Sequence, residues 1–542
     1  MVEYMNGGGS GFQQFMAAKD AQKKPGSVNW FVWVLIAVLA GWLVSSWMSP
    51  KKEQTANSKG QTNAAQSETA AAVSMPAQIL AGDAVAARVA GLRISDIELK
   101  KYPADKADGA QSNVAMLSAP GEFLEVGLVG AGTGFPTEAT LWKINRAMSG
   151  NPIHMYWQSP EGVEFRRSVS ISGDYVIEVR DEVANKGKTP VSVGQYARIV
   201  RAAAAKSAMV GIETGGIARA NGDMERENWK ALSKKPYSYQ TADGFVGFTD
   251  QYWQTIVRIA SPDDSAQSLR MRQRSDGLYQ ADGAAESRTI APGAESVWTS
   301  VIFAGPKNQA DLAAAAAAVP GIDQTIDYGW FWFLARPFLW ALNALHGLTG
   351  NYGVAIIILT IILRALMWPL TKKSFSSMSA MQSMQPEMQR IQKLYANDKA
   401  RMQAEMLNLY RTHKTSPMGG CLPMILQIPI FFALYKALVV SVPMRQAGFL
   451  WIGDLAVMDP YFILPVLMGA TMWWQQRLQT RNTAAGADQN NPIAQTQKMM
   501  KWMPLIFMAM FVWMPAGLVL YWTVSNLFGI GQMWVIRRNR NS

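Results

Sequence analysis

A single arginine, Arg364, interrupts the apolar run IIILTIILRALMWPL, Ile356–Leu370. A guanidinium near the centre of a bilayer costs at least roughly 2.5–3.5 kcal/mol on insertion scales, so its presence implies an escape to water or a use. Lys372 follows eight residues later, or roughly 12 Å along a helix, and a snorkelling side chain covers part of that distance. Thr360, four residues earlier, shares its helical face. Other apolar runs carry further polar groups: Gln427, in phase with Phe431 and Tyr435, and the set Tyr521, Ser525, Asn526 and Gln532. Such groups need water or partners in hydrocarbon. Converging from three helices, they would line a hydrated, positively charged cavity. No carboxylate lies in these runs, so the partner of Arg364 is water, lipid or a substrate. The chemistry on offer is reception of polar or anionic groups.

Bond-making chemistry finds little footing. His154, His346 and His413 fall in three different regions, and the one cysteine, Cys421, has no histidine near it in sequence; it reads as a small helix-packing residue. No metal-ligand spacing and no G-x-x-x-x-G-K-[ST] loop occurs. The expectation is a protein without catalytic residues, metal or cofactor, and without a specific nucleic-acid site.

The elements that must position these groups are membrane helices. The 542 residues are 49% hydrophobic, with 20 Trp and 31 Met. A window of about 19 residues picks out six runs: Val28–Met48, Tyr352–Leu370, Cys421–Val440, Tyr461–Trp474, the short Trp502–Trp513, and Ala516–Ile536. Between Lys51 and Asp327 stand 29 Lys and Arg against 31 Asp and Glu, so the net +12 belongs to the remainder, with 22 against 8. Basic residues in the N-terminus, in the loop after the second run, in the loop after the fourth and in the tail RRNRN all fall on one side. By the positive-inside rule both termini are cytoplasmic and Lys51–Asp327 is outside. The first run is long for a signal peptide and lacks an A-x-A-like site, so it reads as a retained anchor. A lone cysteine denies the outer domain any disulfide.

Residues 49–74 form a polar, small-residue linker. From Met75 to Pro306, short alternating runs such as SVSISGDYVIEV, QTIVRIAS and ESVWTSVIFAG argue for an all-β sandwich. DYGWFWFLARPFLWALNALHG follows, with Trp330, Trp332, Trp340 and a central Pro337, as an amphipathic helix on the outer interface. After the second run, Met378, Met381, Met384, Met388, Ile391 and Leu394 step by three or four. YANDK breaks the rhythm, and Met402, Met406, Leu409 and His413 resume it. That is a helical hairpin whose methionines either fill its own seam or offer an adaptable binding surface.

The phrases DYGWFWFLARP, ILRALMWPLTKKSF, SPMGGCLPMILQIPIFFALY, DPYFILPVLMGATM and MPLIFMAMFVWMPAGLVLYWTVSNL, in this order across Ile326–Arg538, resemble the YidC-type membrane protein insertase family, which includes mitochondrial oxidase-assembly and thylakoid members. FRRSVSISGDYVIEV and GFVGFTDQYW add a weaker likeness outside. The resemblance implies a Gram-negative, inner-membrane protein with a periplasmic β-supersandwich. It also implies five core helices around a hydrophilic groove, open to cytoplasm and lipid and closed outside.

The implied divisions are a cytoplasmic N-terminus at 1–27, a first helix at 28–48, a β-domain at 75–306 and a connector with interfacial helix at 307–350. A second helix at 351–371, a cytoplasmic hairpin at 372–414, four more helices within 415–536 and a basic tail at 537–542 complete them. The groove arginine of the family matches Arg364. Its groove or substrate positions match Thr360, Gln427, Met468, Tyr521 and Trp522, the last standing where a second tyrosine is frequent. The implied function is insertion and assisted folding of nascent membrane proteins, alone or with the Sec translocon and its accessory subunits. The short tail RRNRNS leaves only a small surface for a ribosome. Two rivals stay open: a channel or transporter, which needs a continuous polar path, and a carbohydrate-binding outer domain, carried by fold analogy alone.

Overall fold

The computed structural model describes residues 76–104, 112–130, 134–145, 150–204, 211–260, 267–413, 422–480 and 492–541. The expected N-terminus, first helix and linker, together with Lys414 and Cys421, lie outside them.

Two antiparallel sheets occupy residues 78–306. One begins Gln78–Ala81, Val85–Ala90, Arg93–Pro103 and Phe123–Gly130. It continues through Val191–Arg201, Tyr279–Ala285 and Gln267–Gln273 to Tyr237–Thr241, with two short strands off this path. The other runs from Asp223–Asn228 through Gly215–Ala220, Gly244–Thr249, Trp253–Ala260 and Glu295–Pro306. Val176–Asn185, Val163–Ile171, Ile153–Gln158 and Lys143–Ile144 complete it. The alternation expected around Ile177 and Val179 is a hairpin pairing Val169 with Val179 and Ile171 with Ile177. Because successive side chains take opposite faces, Phe165, Val169, Val179 and Val183 are buried. The inward positions between them hold Arg167 and Asp181, a two-pronged ion pair at 2.7 and 2.8 Å with both side chains 2% exposed. Phe245, Phe248, Phe303 and Ile199 join the two sheets in one core, which is the sandwich expected.

Eleven α-helices occur among the described residues. The short α1, Trp229–Leu232, lies within the sheets, and α2, Gln309–Ala315, follows them with Asn308 as its cap. Then come α3 (Trp332–Thr349), α4 (Tyr352–Leu366), α5 (Trp368–Ser383), α6 (Gln385–Leu394) and α7 (Lys399–Thr412). The last four are α8 (Leu422–Val440), α9 (Ile463–Thr480), α10 (Pro492–Phe511) and α11 (Ala516–Asn541). The Asn351 side chain accepts from the amides of Gly353 and Val354 and starts α4. A Cβ on Gly353 would lie 2.2 Å from the Phe449 ring, so only glycine fits there.

The second apolar run is not one straight helix. α4 and α5 meet at 59° around Met367. Pro369 lacks an N–H, and it disfavours helical geometry at Trp368 before it, which is where a break is expected. No single described helix is long and apolar enough to cross a membrane, and this bent pair alone passes by length and composition. Pro429 and Pro504 stand inside α8 and α10. Leu339, Ile356, Leu359, Leu434, Leu438 and Val519 nonetheless form one buried cluster joining α3, α4, α8 and α11.

The end of α8 is fastened to the β-domain. Val439 and Val440 belong to the sheet core, and Gln251 donates to the Val439 carbonyl at 3.1 Å. Lys436 pairs with Asp327 and donates to the Gly211 carbonyl at 2.6 Å. Arg445 and Gln446, just beyond, donate to the carbonyls of Pro103 and Ala104. Burial alone would raise the Asp327 carboxyl, but the Lys436 ammonium and the Gly329 amide outweigh it and hold it below the usual carboxylate range.

Candidate functional site

Three helices bring the polar groups together. α4 supplies Arg364, α8 supplies Gln427, and α11 supplies Tyr521 and Ser525 one turn apart on one face. Arg364 is half-buried, and its Nε donates to the Ser525 hydroxyl at 2.5 Å. A guanidinium has five N–H groups; the other four have no partner among the described residues, and no carboxylate faces them. Gln427 Nε2 donates to the Tyr521 hydroxyl at 2.5 Å. Gln532, one helical segment further, reaches the Arg364 carbonyl at 3.5 Å. The result is a polar ladder across α4, α8 and α11, with a cation whose charge no described residue neutralises. Such an arrangement is suited to water and to an incoming anion, to which it offers hydrogen-bond donors; among the described residues it contains no nucleophile and base pair.

The other expected residues lie elsewhere around this ladder. Thr360 is fully buried and its hydroxyl donates to the Ile356 carbonyl of its own helix at 2.6 Å. It marks the end of the polar stretch. Met468 is buried in the helical core. Asn526 adjoins Ser525 in sequence, yet its amide points to the Met468 carbonyl and the Thr471 hydroxyl of α9, at 3.5 and 3.3 Å. Trp522 packs edge-on against Phe431 and Phe511, with Phe507 beside them. It forms an aromatic flank between α8, α10 and α11.

In the hairpin, Met384, Met388 and Leu409 are buried against Ile391, Met406 and Tyr410. Met402 is half-buried on α7. Met378 and Met381 are half-buried on α5, before the hairpin's own cluster. Thr471 and Lys436 were not singled out by sequence. Lys436 was detectable as the one cation inside the third apolar run. No cluster of His, Cys, Asp and Glu suited to a metal occurs among the described residues.

Comparison with known proteins bears on most of the chain. The family described as 60Kd inner membrane protein matches residues 344–542, and the YidC periplasmic domain matches residues 83–341. The membrane protein insertase YidC of Methylobacillus flagellatus is 35% identical over 457 residues, which are 82% of this chain and 80% of that protein. That of Geobacter sulfurreducens is 35% identical over 463 residues, 83% of each chain. Among solved structures, a galactose mutarotase-like protein from Lactobacillus casei is 9% identical, covers 42% of this chain and all of its own, and has a TM-score of 0.28, too low to argue from. With two family matches tiling residues 83–542 and relatives this similar over most of both sequences, the chain belongs to the YidC family of membrane protein insertases.

Proposed function

We propose that the chain integrates nascent membrane proteins through a hydrophilic groove between α4, α8 and α11, with Arg364 as its receiving charge. The groove opens to cytoplasm and lipid and is closed on the outer side. A client's apolar segment slides along the flank of α8 and α11 past Trp522, while its short polar end rests near Arg364, Gln427, Tyr521 and Ser525. A groove of this kind shortens the hydrocarbon that the polar end must cross. Release follows from the client's own apolar transfer, and the membrane potential favours outward movement of negative charge by about 2.3 kcal/mol per charge per 100 mV. The scheme requires no nucleotide, and the family is one of insertases, not enzymes.

The observation that carries this reading is the unneutralised guanidinium of Arg364, held by a hydroxyl and faced by no carboxylate among the described residues. Hydropathy supports six spans, and charge bias supports cytoplasmic termini and a cytoplasmic α6–α7 hairpin, with the β-domain in the periplasm of a bacterial inner membrane. The same groove serves as a folding chaperone, alone or beside the Sec translocon.

Photocrosslinkers at positions 522 and 427, with a stalled nascent membrane protein, test the proposal. The expected result is labelling of the client's apolar segment from 522 and of its polar end from 427. A crosslinker at Leu366, 75% exposed beyond the ladder, should label weakly. Equal labelling from all three positions would refute a groove.

A further inference from the structure

A cavity of about 830 Å³ opens between α2 and α3, a size usual for small-molecule sites of roughly 300–1,000 Å³. Its apolar walls come from Leu312 of α2, from Ile326, and from Trp332, Pro337 and Trp340 of α3. Gln309 Nε2 donates to the Tyr328 hydroxyl at 2.7 Å and fastens the segment between the two helices. Two exposed charges, Asp323 and Arg336, face the cavity. Neither has an ion pair or hydrogen bond to a described residue. An adjoining cavity of about 290 Å³ shares both charges and is lined also by Arg226 and by Asp327, the partner of Lys436.

The surroundings indicate what fills it. One face of α3 buries Ala335, Phe338, Leu339 and Leu342 in the helical core. Its flank leaves Trp332 at 59% exposure, and its opposite face leaves Phe333 at 55% and Trp340 at 68%. Tryptophan on an amphipathic helix suits the bilayer interface, so the cavity mouth meets lipid. A site with aromatic walls, one cation and one anion complements a zwitterion carried on a hydrocarbon chain.

We propose that this cavity holds one phospholipid of the primary-ammonium class, with its phosphate on Arg336, its ammonium on Asp323 and one acyl chain along Trp332, Pro337 and Trp340. An anionic headgroup without an ammonium would leave Asp323 facing like charge. A choline headgroup has no N–H to donate to the carboxylate. The site rests on the interfacial reading of α3 and is independent of the Arg364 groove.

The test is lipid retention by the full chain in detergent, read by native mass spectrometry after exchange with phosphatidylethanolamine, phosphatidylglycerol or phosphatidylcholine. The expected result is about threefold or greater preference for phosphatidylethanolamine, the scale of one partly exposed charge contact. Arg336→Ala should weaken retention of all three lipids about threefold or more, and Arg336→Lys should keep it. Asp323→Asn should retain lipid without preference. Excess glycerophosphoethanolamine, a headgroup with no chains, should not displace the bound lipid. Equal retention of the three lipids by the unaltered protein, or undiminished retention by Arg336→Ala, would overturn the site. Unchanged trypsin resistance of the β-domain reports that each variant is folded. The interfacial reading is tested separately with Trp340→Cys in a Cys421→Ala background: bilayer reconstitution should slow its labelling by a membrane-impermeant maleimide. Equal labelling with and without bilayer would remove the basis of the proposal, whatever the groove does.

Discussion

Replacing Arg364 separates a receiving charge from a snorkelling anchor. A client carboxylate some 6 Å from the guanidinium, in a medium of effective dielectric about 40, gains about 1.4 kcal/mol, or about tenfold in rate. Arg364→Ala should therefore slow insertion of a client with one acidic residue in its translocated end about tenfold, and leave a neutral-ended client near the wild-type rate. Arg364→Glu reverses the sign and should slow the acidic client about a hundredfold. Arg364→Lys keeps the charge and loses only the planar fork, so insertion should stay within about threefold. The variants should remain folded, because Arg364→Ala relieves a membrane cost of roughly 2.5 kcal/mol or more, and Arg364→Lys and Arg364→Glu exchange one charge for another of similar cost. What remains is the Ser525 hydroxyl without its Nε partner, worth about 1 kcal/mol. The assay is protease protection of paired acidic and neutral clients in proteoliposomes. If Arg364→Ala and Arg364→Glu both insert the acidic client at the wild-type rate, charge has no part in reception.

Two further outcomes concern stability. The Lys436 and Asp327 side chains are 16% and 29% exposed, between a surface pair worth about 0–1 kcal/mol and a buried one costing about 3–5 to break; Asp327→Asn should lower stability by about 1–3 kcal/mol at pH 7 in thermal unfolding of the full chain. Since the folded carboxyl lies below its usual range, this contribution is complete above the unfolded value of about 3.9 and disappears as pH falls through the folded one; the gap between wild type and variant should be constant near neutrality and narrow only below about pH 3.9. In the β-domain, Asp181→Ala strands Arg167 in the sandwich core and should cost about 3–5 kcal/mol, whereas the double change Arg167→Met with Asp181→Leu should cost much less by the same measurement.

Residue types made the polar ladder legible, but its pairings were not. Ser525 and Asn526 are neighbours in sequence, yet successive helix positions point about 100° apart. One meets Arg364 of α4 and the other Thr471 of α9. Thr360 shares the face of Arg364 but satisfies its hydroxyl on its own helix, an outcome that spacing does not distinguish. Lys436 stands out as the one cation of its apolar run, but its pairing was hidden because Asp327 lies 109 positions away, on the far side of the α6–α7 hairpin in sequence. The methionine rhythm ran unbroken across Met384, where one helix ends and another starts; periodicity alone therefore assigned Met378 and Met381 to the hairpin seam. The β-domain was easier to read, since a period of two and a buried face fix each strand. The order of strands within its sheets depends on long-range pairing that no local run encodes.

The packing along α4 bears on why a single arginine suffices. Tyr352, Ala355, Ile356, Leu359 and Thr360 are buried, and Ile361, Ile362 and Leu366 are exposed. The polar ladder thus adjoins a close-packed apolar stretch, an arrangement suited to holding a client's polar end and poor for conducting ions. Holding must then be weaker than the force that carries the end onward. A carboxylate gains about 1.4 kcal/mol at a hydrated guanidinium, whereas the membrane potential supplies about 2.3 kcal/mol per charge per 100 mV. In the proposed reading one cation receives the client and still lets it go; a second cation on the same ladder, at about 2.8 kcal/mol together, would exceed the drive and turn the groove into a trap. The unneutralised Arg364 and the hydroxyl and amide groups around it therefore fit reception with release: one charge, with neutral dipoles for the rest.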